Sequence, residues 1–149
     1  MAPSEFAKRV RLAAAGRGSA AAQTMLGLWH LKGLEGLELD EVKAAGFFQT
    51  AAERGHAEAQ LRLAACYGSG RGLEQSNALA VEWMRKAADQ GNNAAQYAMG
   101  SWHALGEGVK KDLPLGKRYL ELSAAQGYED AVVLLKELRK CVTGSPDHW

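Results

Sequence analysis

GHAEAQLRLAACYGSGRGLEQSNALAVEWMRKAADQG, residues 55–91, is followed by GNNAAQYAMGSWHALGEGVKKDLPLGKRYLELSAAQG, residues 91–127, and both stretches follow one pattern. Each begins and ends with a glycine, carries Ala-Gln shortly after the first glycine, and carries Ala-Ala shortly before the last. The same glycine recurs upstream at Gly18, so successive glycines lie 37, 36 and 36 residues apart. Self-similarity at such a period is typical of repeat proteins, whose units form a core by stacking on their neighbours. We therefore expect an array of short repeats.

Each repeat is predicted to be a pair of helices, which we call helix A and helix B. In helix A, apolar or small residues recur at the spacing of one helical face, as in Ala22, Leu26, Gly27 and His30. A glycine-rich segment then interrupts the helix. It is followed by a polar residue that can cap the N-terminus of helix B, namely Asp40, Ser76 and Asp112 in successive repeats. The closing glycine is expected to take the left-handed conformation that ends helix B.

The predicted fold class is all-α, with eight helices. They are expected at residues 4–16, 19–32, 40–54, 56–68, 76–90, 92–105, 113–126 and 128–141. Residues 1–142 are predicted to form a single domain, which contains a lone helix B at 4–18, repeats at 19–55, 56–91 and 92–127, and a closing helix A at 128–141. A flexible tail is expected at residues 143–149, and its Trp149 could dock on the rest of the chain.

Small residues inside helix A predict a close approach of helix B. We call the equivalent position in successive repeats a slot. One slot holds Gly27, Ala64 and Gly100, although glycine in a helix interior costs about 1 kcal/mol relative to alanine. A tightly packed neighbour would offset that cost. The same slot of the closing helix holds Lys136, which agrees with a polar cap on the last repeat. A ring-bearing slot of helix B is interpreted as its core face, and it holds Phe47, Trp83 and Tyr119.

The stretches LGEGVKKD (residues 105–112) and ALAVEWMRKAADQG (residues 78–91) resemble the Sel1-like repeat family, a branch of the tetratricopeptide-like α-solenoids. The resemblance extends over about residues 7–135. It implies a right-handed α–α superhelix with helix A on the concave side, and adaptor or scaffold roles in protein assembly and signalling. The chain departs from the family pattern in that His30 and His103 replace a tyrosine and Ser76 replaces an aspartate. It also lacks the paired cysteines that some members hold as disulfides within each repeat.

The composition excludes several classes of partner. A net charge of +1, with 23% charged residues, gives no basic surface for nucleic acid. No run approaches the roughly 20 apolar residues of a spanning helix, so no membrane partner is expected. The N-terminal residues lack the apolar core of a signal peptide, which predicts a cytoplasmic protein, or a periplasmic or secreted one if the sequence is a piece of a longer chain. We expect a monomer without cofactors and without a Cys66–Cys141 disulfide.

No catalytic or metal-binding set of residues stands out. His30 and His103 occupy equivalent slots two repeats apart, so they cannot share a metal ion, and each is interpreted as a packed ring. Cys66 shares its slot with Trp29 and Trp102, which favours a buried thiol over a nucleophile. The common nucleophile and metalloprotease motifs are missing. The sequence therefore predicts that the protein is not an enzyme.

The main functional signal is an apolar stripe on the predicted concave face of helix A. Opposite its core face, a helix that faces only solvent should be polar. The candidate partner-binding residues on and beside this face are Met25, Leu28, Trp29, Leu61, Arg62, Tyr97, Ser101 and Trp102. Two interpretations stay open: an exposed groove that binds a peptide or helix, or side chains that the neighbouring helices bury.

These features predict a non-enzymatic adaptor that binds a protein or peptide segment in the groove. The alternative is a dedicated inhibitor or immunity-type partner of one enzyme, which would make broad contacts through loops and edges. A small-molecule hydrolase that uses Cys66 is a third hypothesis, and no sequence motif supports it.

Overall fold

All regular structure in residues 3–34 and 36–143, the part of the chain that the computed structural model describes, is α-helical. The helices are α1 (Pro3–Gly16), α2 (Ala20–Lys32), α3 (Glu41–Glu53), α4 (Ala57–Ser69), α5 (Asn77–Asp89), α6 (Asn93–Leu105), α7 (Leu113–Ala125) and α8 (Glu129–Thr143). Each begins and ends within two residues of its predicted position, which confirms the all-α fold class. The A helices are α2, α4, α6 and α8, and the B helices are α1, α3, α5 and α7.

The chain divides into two compact units, residues 1–86 and 87–149. In the first unit, α2 packs against α1, α3 and α4, and α3 also packs against α4. In the second unit, α6 packs against α7 and α8, which also pack against each other. Each unit therefore contains a complete A–B hairpin and the helix A that follows it. The tail predicted at 143–149 lies almost entirely outside the described residues, since α8 ends at Thr143.

Glycine ends each helix B, as the repeat pattern predicts. The four closing glycines have φ between 86° and 93°, a region that residues with a Cβ atom rarely adopt. In this conformation the chain turns back at once, so the next backbone amide can bond to the last turn of the helix. The amide of His56 donates to the Ala51 carbonyl at 3.2 Å, and the amide of Asn92 donates to the Ala87 carbonyl at 3.2 Å.

The predicted N-caps of helix B are confirmed. The backbone amide of Lys43 donates to Asp40 Oδ1 at 3.0 Å, and that of Leu115 donates to Asp112 Oδ1 at 3.1 Å. In the second repeat, Ser76 accepts from the amide of Leu79 at 3.2 Å. Such bonds satisfy amides that have no partner inside the helix. Ser76 therefore fills the aspartate slot without loss of the cap.

The A–B hairpins pack as closely as the small residues predict. A Cβ atom on Gly27 would lie 2.6 Å from Cε1 of Phe48, and one on Gly100 would lie 2.6 Å from Cγ of Leu120. Both Phe48 and Leu120 are completely buried. Lys136, which occupies the same slot in α8, is exposed.

The predicted core face of helix B is wrong by one residue. The slot of Phe47, Trp83 and Tyr119 is only half-buried. The next slot, which holds Phe48, Met84 and Leu120, is buried to 5% exposure or less. Adjacent residues lie about 100° apart around a helix. The pattern of ring residues therefore indicated the slot of Phe47 when the buried slot is that of Phe48. In the half-buried slot, Phe47 and Tyr119 instead stack on histidine rings of helix A.

Candidate functional site

Stacked rings join helix A to helix B beside the core. The His30 and Phe47 ring centroids are 5.7 Å apart with an interplanar angle of 8°. His103 and Tyr119 repeat this arrangement at 6.4 Å and 9°. His30 Nδ1 also lies 3.1 Å from the Glu38 carbonyl oxygen. The interpretation of both histidines as packed rings is therefore confirmed.

The described residues form no metal centre, and the Cys66 thiol is buried. Across residues 3–34 and 36–143, no three His, Cys, Asp or Glu side chains come together in a way that could hold a metal ion. Cys66 is buried in the core of the first unit, and this burial raises the pKa of its thiol, although Arg71 and Arg62 act in the opposite direction. Because the thiolate is the reactive form, the geometry favours the buried structural thiol. Cys141 is exposed and free.

Buried glutamines link α4 and α6 to the helix B before each of them. Gln60 Nε2 donates to the Ala52 carbonyl at 3.2 Å, and Gln96 Nε2 donates to the Ala88 carbonyl at 3.3 Å. Both acceptors lie in the last turn of helix B, where carbonyls have no partner inside the helix. The sequence showed the recurring Ala-Gln pair. It could not show the role of the glutamine, because that role depends on which backbone carbonyl the fold places next to the side-chain amide.

The candidate stripe in the first unit is formed by neighbouring helices, α2 and α4. Met25, Leu28, Leu61 and Arg62 are all half-buried. Leu28 also packs against the core cluster of this unit. Arg62 is held by Glu58 one turn earlier, with Nη2 to Oε1 at 2.9 Å. The stripe is therefore partly accessible and carries a salt-bridged pair beside apolar side chains.

Trp29 has a different environment from the rest of the stripe. Its side chain belongs to the buried core, with 5% exposure, and the Arg11 guanidinium lies 5.2 Å from the centre of its ring. This distance is typical of a cation–π contact. Thr24, one turn before Leu28, is also buried and donates its hydroxyl to the Ala20 carbonyl at 2.9 Å. Trp29 therefore contributes to the packing of α1 on α2.

The candidate residues of the second unit lie on α6. Tyr97 packs against Tyr128 with ring centroids 5.2 Å apart and joins the core cluster around Leu120. Ser101 and Trp102 are half-buried. A substitution at Tyr97 would thus disturb packing as well as any bound partner. Ser101 is the better probe of this surface because its small side chain occupies the slot that holds Leu28 in α2.

Comparison with known proteins identifies the family to which the repeats belong. The sequence model of the family described as Sel1 repeat matches residues 20–56, 57–92 and 93–128. Each match begins one residue after the corresponding predicted repeat. No curated protein matches the chain. The described residues contain no helix with the length and apolar character needed to span a membrane.

The solved structures that are similar to this chain include two crystal structures. One is c5321, a protective antigen of uropathogenic Escherichia coli strains that displays an SLR fold, with 30% identity and a TM-score of 0.81 over 85% of this chain. The other is a Sel1 repeat protein from Oxalobacter formigenes, with 33% identity and a TM-score of 0.73 over 79% of this chain and 89% of that one. The match spans 27% of the length of the E. coli protein. The fold is thus that of helical hairpins of the solenoid type.

Proposed function

Because the chain belongs to the Sel1 repeat family, we propose that it is a non-enzymatic interaction module whose A helices bind a segment of a partner protein. Sel1 repeats are in general protein-interaction modules, and the fold is typically non-enzymatic. The proposal assigns no cofactor and places the module in the cytoplasm as a monomer that forms a one-to-one complex. Nucleic acid and membranes are not among its proposed partners.

The observation that carries the proposal is the half-buried stripe of α2 and α4. Met25 shares its slot with Arg62 and Ala98 in the next two repeats, and Leu28 shares its slot with Ala65 and Ser101. Such variation means that hairpin packing alone does not fix the residue in either slot, although Leu28 also contacts the core of its unit. Partly exposed apolar side chains beside an arginine are typical anchors of a protein interface.

The test begins with capture of the partner by the purified full chain and its identification by mass spectrometry. The affinity of that partner is then measured for the wild type and for the double variant Met25→Asp, Arg62→Glu. We expect at least a tenfold loss of affinity, about 1.4 kcal/mol, because the variant places acidic groups on the apolar stripe and reverses its positive charge. Circular dichroism checks that both proteins keep the same helical content.

The matched control is Val42→Asp, which makes a similar change on helix α3. Val42 is 70% exposed, and an acidic residue is favourable in the first turn of a helix. This variant should bind the partner as tightly as the wild type. Unchanged binding by the stripe variant would contradict the proposal and would support the inhibitor-like mode, in which loops and edges make the contacts.

A further inference from the structure

An open cleft lies beside the glycine-rich link between α4 and α5, within the first unit. Its volume is about 530 Å³, which is within the usual range of ligand pockets. The cleft is lined by Tyr67, Leu73, Glu74, Gln75, Ser76 and Leu79. None of the candidate stripe residues is among them. The cleft is therefore separate from the surface to which the proposed function is assigned.

Tyr67 does not take part in the ring stacking that the other repeats show. In the first and third repeats, the histidine in its slot stacks on a ring of helix B. Trp83 occupies the matching slot of α5, yet within the described residues Tyr67 makes no ring contact and its hydroxyl has no hydrogen-bond partner. Lys86 instead lies over Trp83, with Nζ 4.2 Å from the ring centre. The half-buried Tyr67 ring is thus available to a ligand in the cleft.

The free polar groups on the cleft wall are mainly hydrogen-bond acceptors. Glu74 is exposed and forms no ion pair with any residue in the described ranges 3–34 and 36–143. Gln75 Nε2 donates to the Gly68 carbonyl at 3.4 Å and to Asn77 Oδ1 at 2.8 Å, so the side-chain oxygen of Gln75 remains as an acceptor. A ligand that fits this wall is expected to supply the donors.

The electrostatics of the cleft favour a cation. Of the residues described around it, Glu74 alone is charged at neutral pH. Arg71, in the same link, is directed to α3, where its Nε lies 3.1 Å from Glu41 Oε1. Helix α4 ends beside the cleft with the negative end of its dipole. The positive end of α5 also lies there, but the Ser76 hydroxyl caps it.

This chemistry is particular to the second repeat. In the third repeat, Lys110 and Lys111 align with Glu74 and Gln75, whereas the first repeat keeps a glutamate, Glu38, beside a stacked histidine ring. A Cβ atom on the glycine that opens the link would lie 3.3 Å from Cβ of Gln75 in the second repeat and 3.2 Å from Cβ of Lys111 in the third. The two links therefore pack alike and differ in charge, so the hairpin does not require an acidic wall.

We propose that this cleft binds an arginine side chain of a partner protein, as an anchor separate from the stripe. The guanidinium is planar and has five N–H donors, so it can lie on the Tyr67 ring and donate to Glu74 and Gln75. The methylene groups of the arginine contact Leu73 and Leu79, which are both partly exposed. Lysine has a compact ammonium group without the planar fork, so it binds less tightly than arginine.

The test uses the isotope-labelled full chain and short synthetic peptides that differ at a single position. This position holds arginine, lysine or citrulline, which has nearly the shape of arginine without its charge, and the rest of the peptide is uncharged. NMR titration should show that the arginine peptide binds about tenfold more tightly than the citrulline peptide, with the lysine peptide between them. The backbone signals that shift should belong to residues 67–79, and added salt should weaken the binding.

Variants of the wall test the role of its charge. Glu74→Gln should weaken binding of the arginine peptide by about fivefold, because it removes the charge of an exposed carboxylate and keeps its shape. Glu74→Lys with Gln75→Lys introduces the residues of the third repeat and should reduce binding to background. The matched control is Glu107→Gln, which neutralises an exposed glutamate in the link of the third repeat and should bind the peptide as the wild type does. Circular dichroism checks that every variant keeps its helical content.

Three results would overturn the arginine site. Equal binding of the arginine and citrulline peptides, or undiminished binding by the double lysine variant, would show that the cleft does not recognise a cation. Tighter binding of the lysine peptide would contradict the role of the guanidinium. Shifts centred on Met25 and Arg62 would place the peptide on the stripe instead. Met25→Asp with Arg62→Glu should keep the wild-type affinity for the arginine peptide, so failure of this site and failure of the proposed function are distinguishable.

Discussion

The hairpins α2–α3 and α6–α7 both pack closely, but with different residues. In the first, Gly27 lies against the ring of Phe48, and the neighbouring slot of α3 holds the buried Ala44. In the second, Gly100 lies against Leu120, and the equivalent of Ala44 is Gly116. The first hairpin thus fills its contact with more side-chain volume, a ring and an alanine, and the second with less, a leucine and a glycine. The smaller residues of the second hairpin let the two helix backbones approach more closely.

The two hairpins also differ in which atoms are in contact. A Cβ atom on Gly27 would meet the ring of Phe48, whereas one on Gly116 would lie 2.6 Å from the backbone nitrogen of Ala104 and 2.8 Å from the carbonyl oxygen of Gly100. Side chains can adjust by a few tenths of an ångström, but the backbones of two packed helices cannot move apart without loss of other contacts. The second hairpin should therefore tolerate added volume less well.

The largest expected effect comes from Gly116→Ala. Overpacking costs about 1–3 kcal/mol, and contact with backbone atoms places this change at the upper end of that range, about 2–3 kcal/mol of lost unfolding free energy. Gly27→Ala should cost less, about 1 kcal/mol, because a ring yields and alanine favours the helix by about 1 kcal/mol. Urea unfolding followed by circular dichroism measures both changes.

The control for this pair is Gly46→Ala in α3. A Cβ atom at Gly46 would have no neighbour within 4 Å, so only the helical preference for alanine remains, and stability should rise by up to about 1 kcal/mol. Equal losses for Gly116→Ala and Gly27→Ala would contradict the distinction between backbone and ring contacts.

A second prediction compares the glutamines at the start of the two hairpins. Gln96 donates to Ala88, and its Oε1 accepts from Gln126 Nε2 at 2.7 Å. Gln23 donates to the Ala15 carbonyl at 3.5 Å, and its buried Oε1 has no partner among the described residues. Gln96→Leu should therefore cost about 2 kcal/mol, whereas Gln23→Leu should cost less than about 1 kcal/mol. Similar losses in urea unfolding would show that the buried oxygen of Gln23 is satisfied in solution.

The smallest expected effect is a pH dependence from the slot that holds Trp29, Cys66 and Trp102. Burial raises the pKa of the Cys66 thiol in the folded protein, so the unfolded chain loses this proton at lower pH than the folded chain does. The stabilisation is present below the ordinary thiol pKa and is lost as pH rises from there through the raised pKa of the folded protein. Denaturant unfolding at a series of pH values, from neutral to alkaline, measures it.

Cys66→Ala should lack this part of the pH dependence, and Cys141→Ser, a change at the exposed thiol, should retain it. An identical decline in wild type and Cys66→Ala would mean that other groups cause it.

The sequence predicts the local elements of this fold well and its three-dimensional contacts less well. Helix bounds, the caps of Asp40 and Asp112, and the left-handed glycines depend on backbone preferences that each residue carries by itself. The choice between Phe47 and Phe48 as the core residue depends on the angle at which two helices meet, which no spacing records. The same limit applies to the candidate stripe. Periodicity assigns Tyr97 a face of its helix, but only the fold brings Tyr128 against it.

The glutamine contacts bear on how the array could be divided. Gln60 joins α4 to the end of α3 across the closing glycine by a buried side-chain hydrogen bond. In the described part of the glycine-rich link inside the first repeat, the side-chain bridge is the exposed His30 contact to Glu38, and the Asp40 amide donates to the His30 carbonyl at 2.9 Å. Inserted sequences or circularly permuted ends should therefore be better accommodated within residues 33–39 than at Gly55.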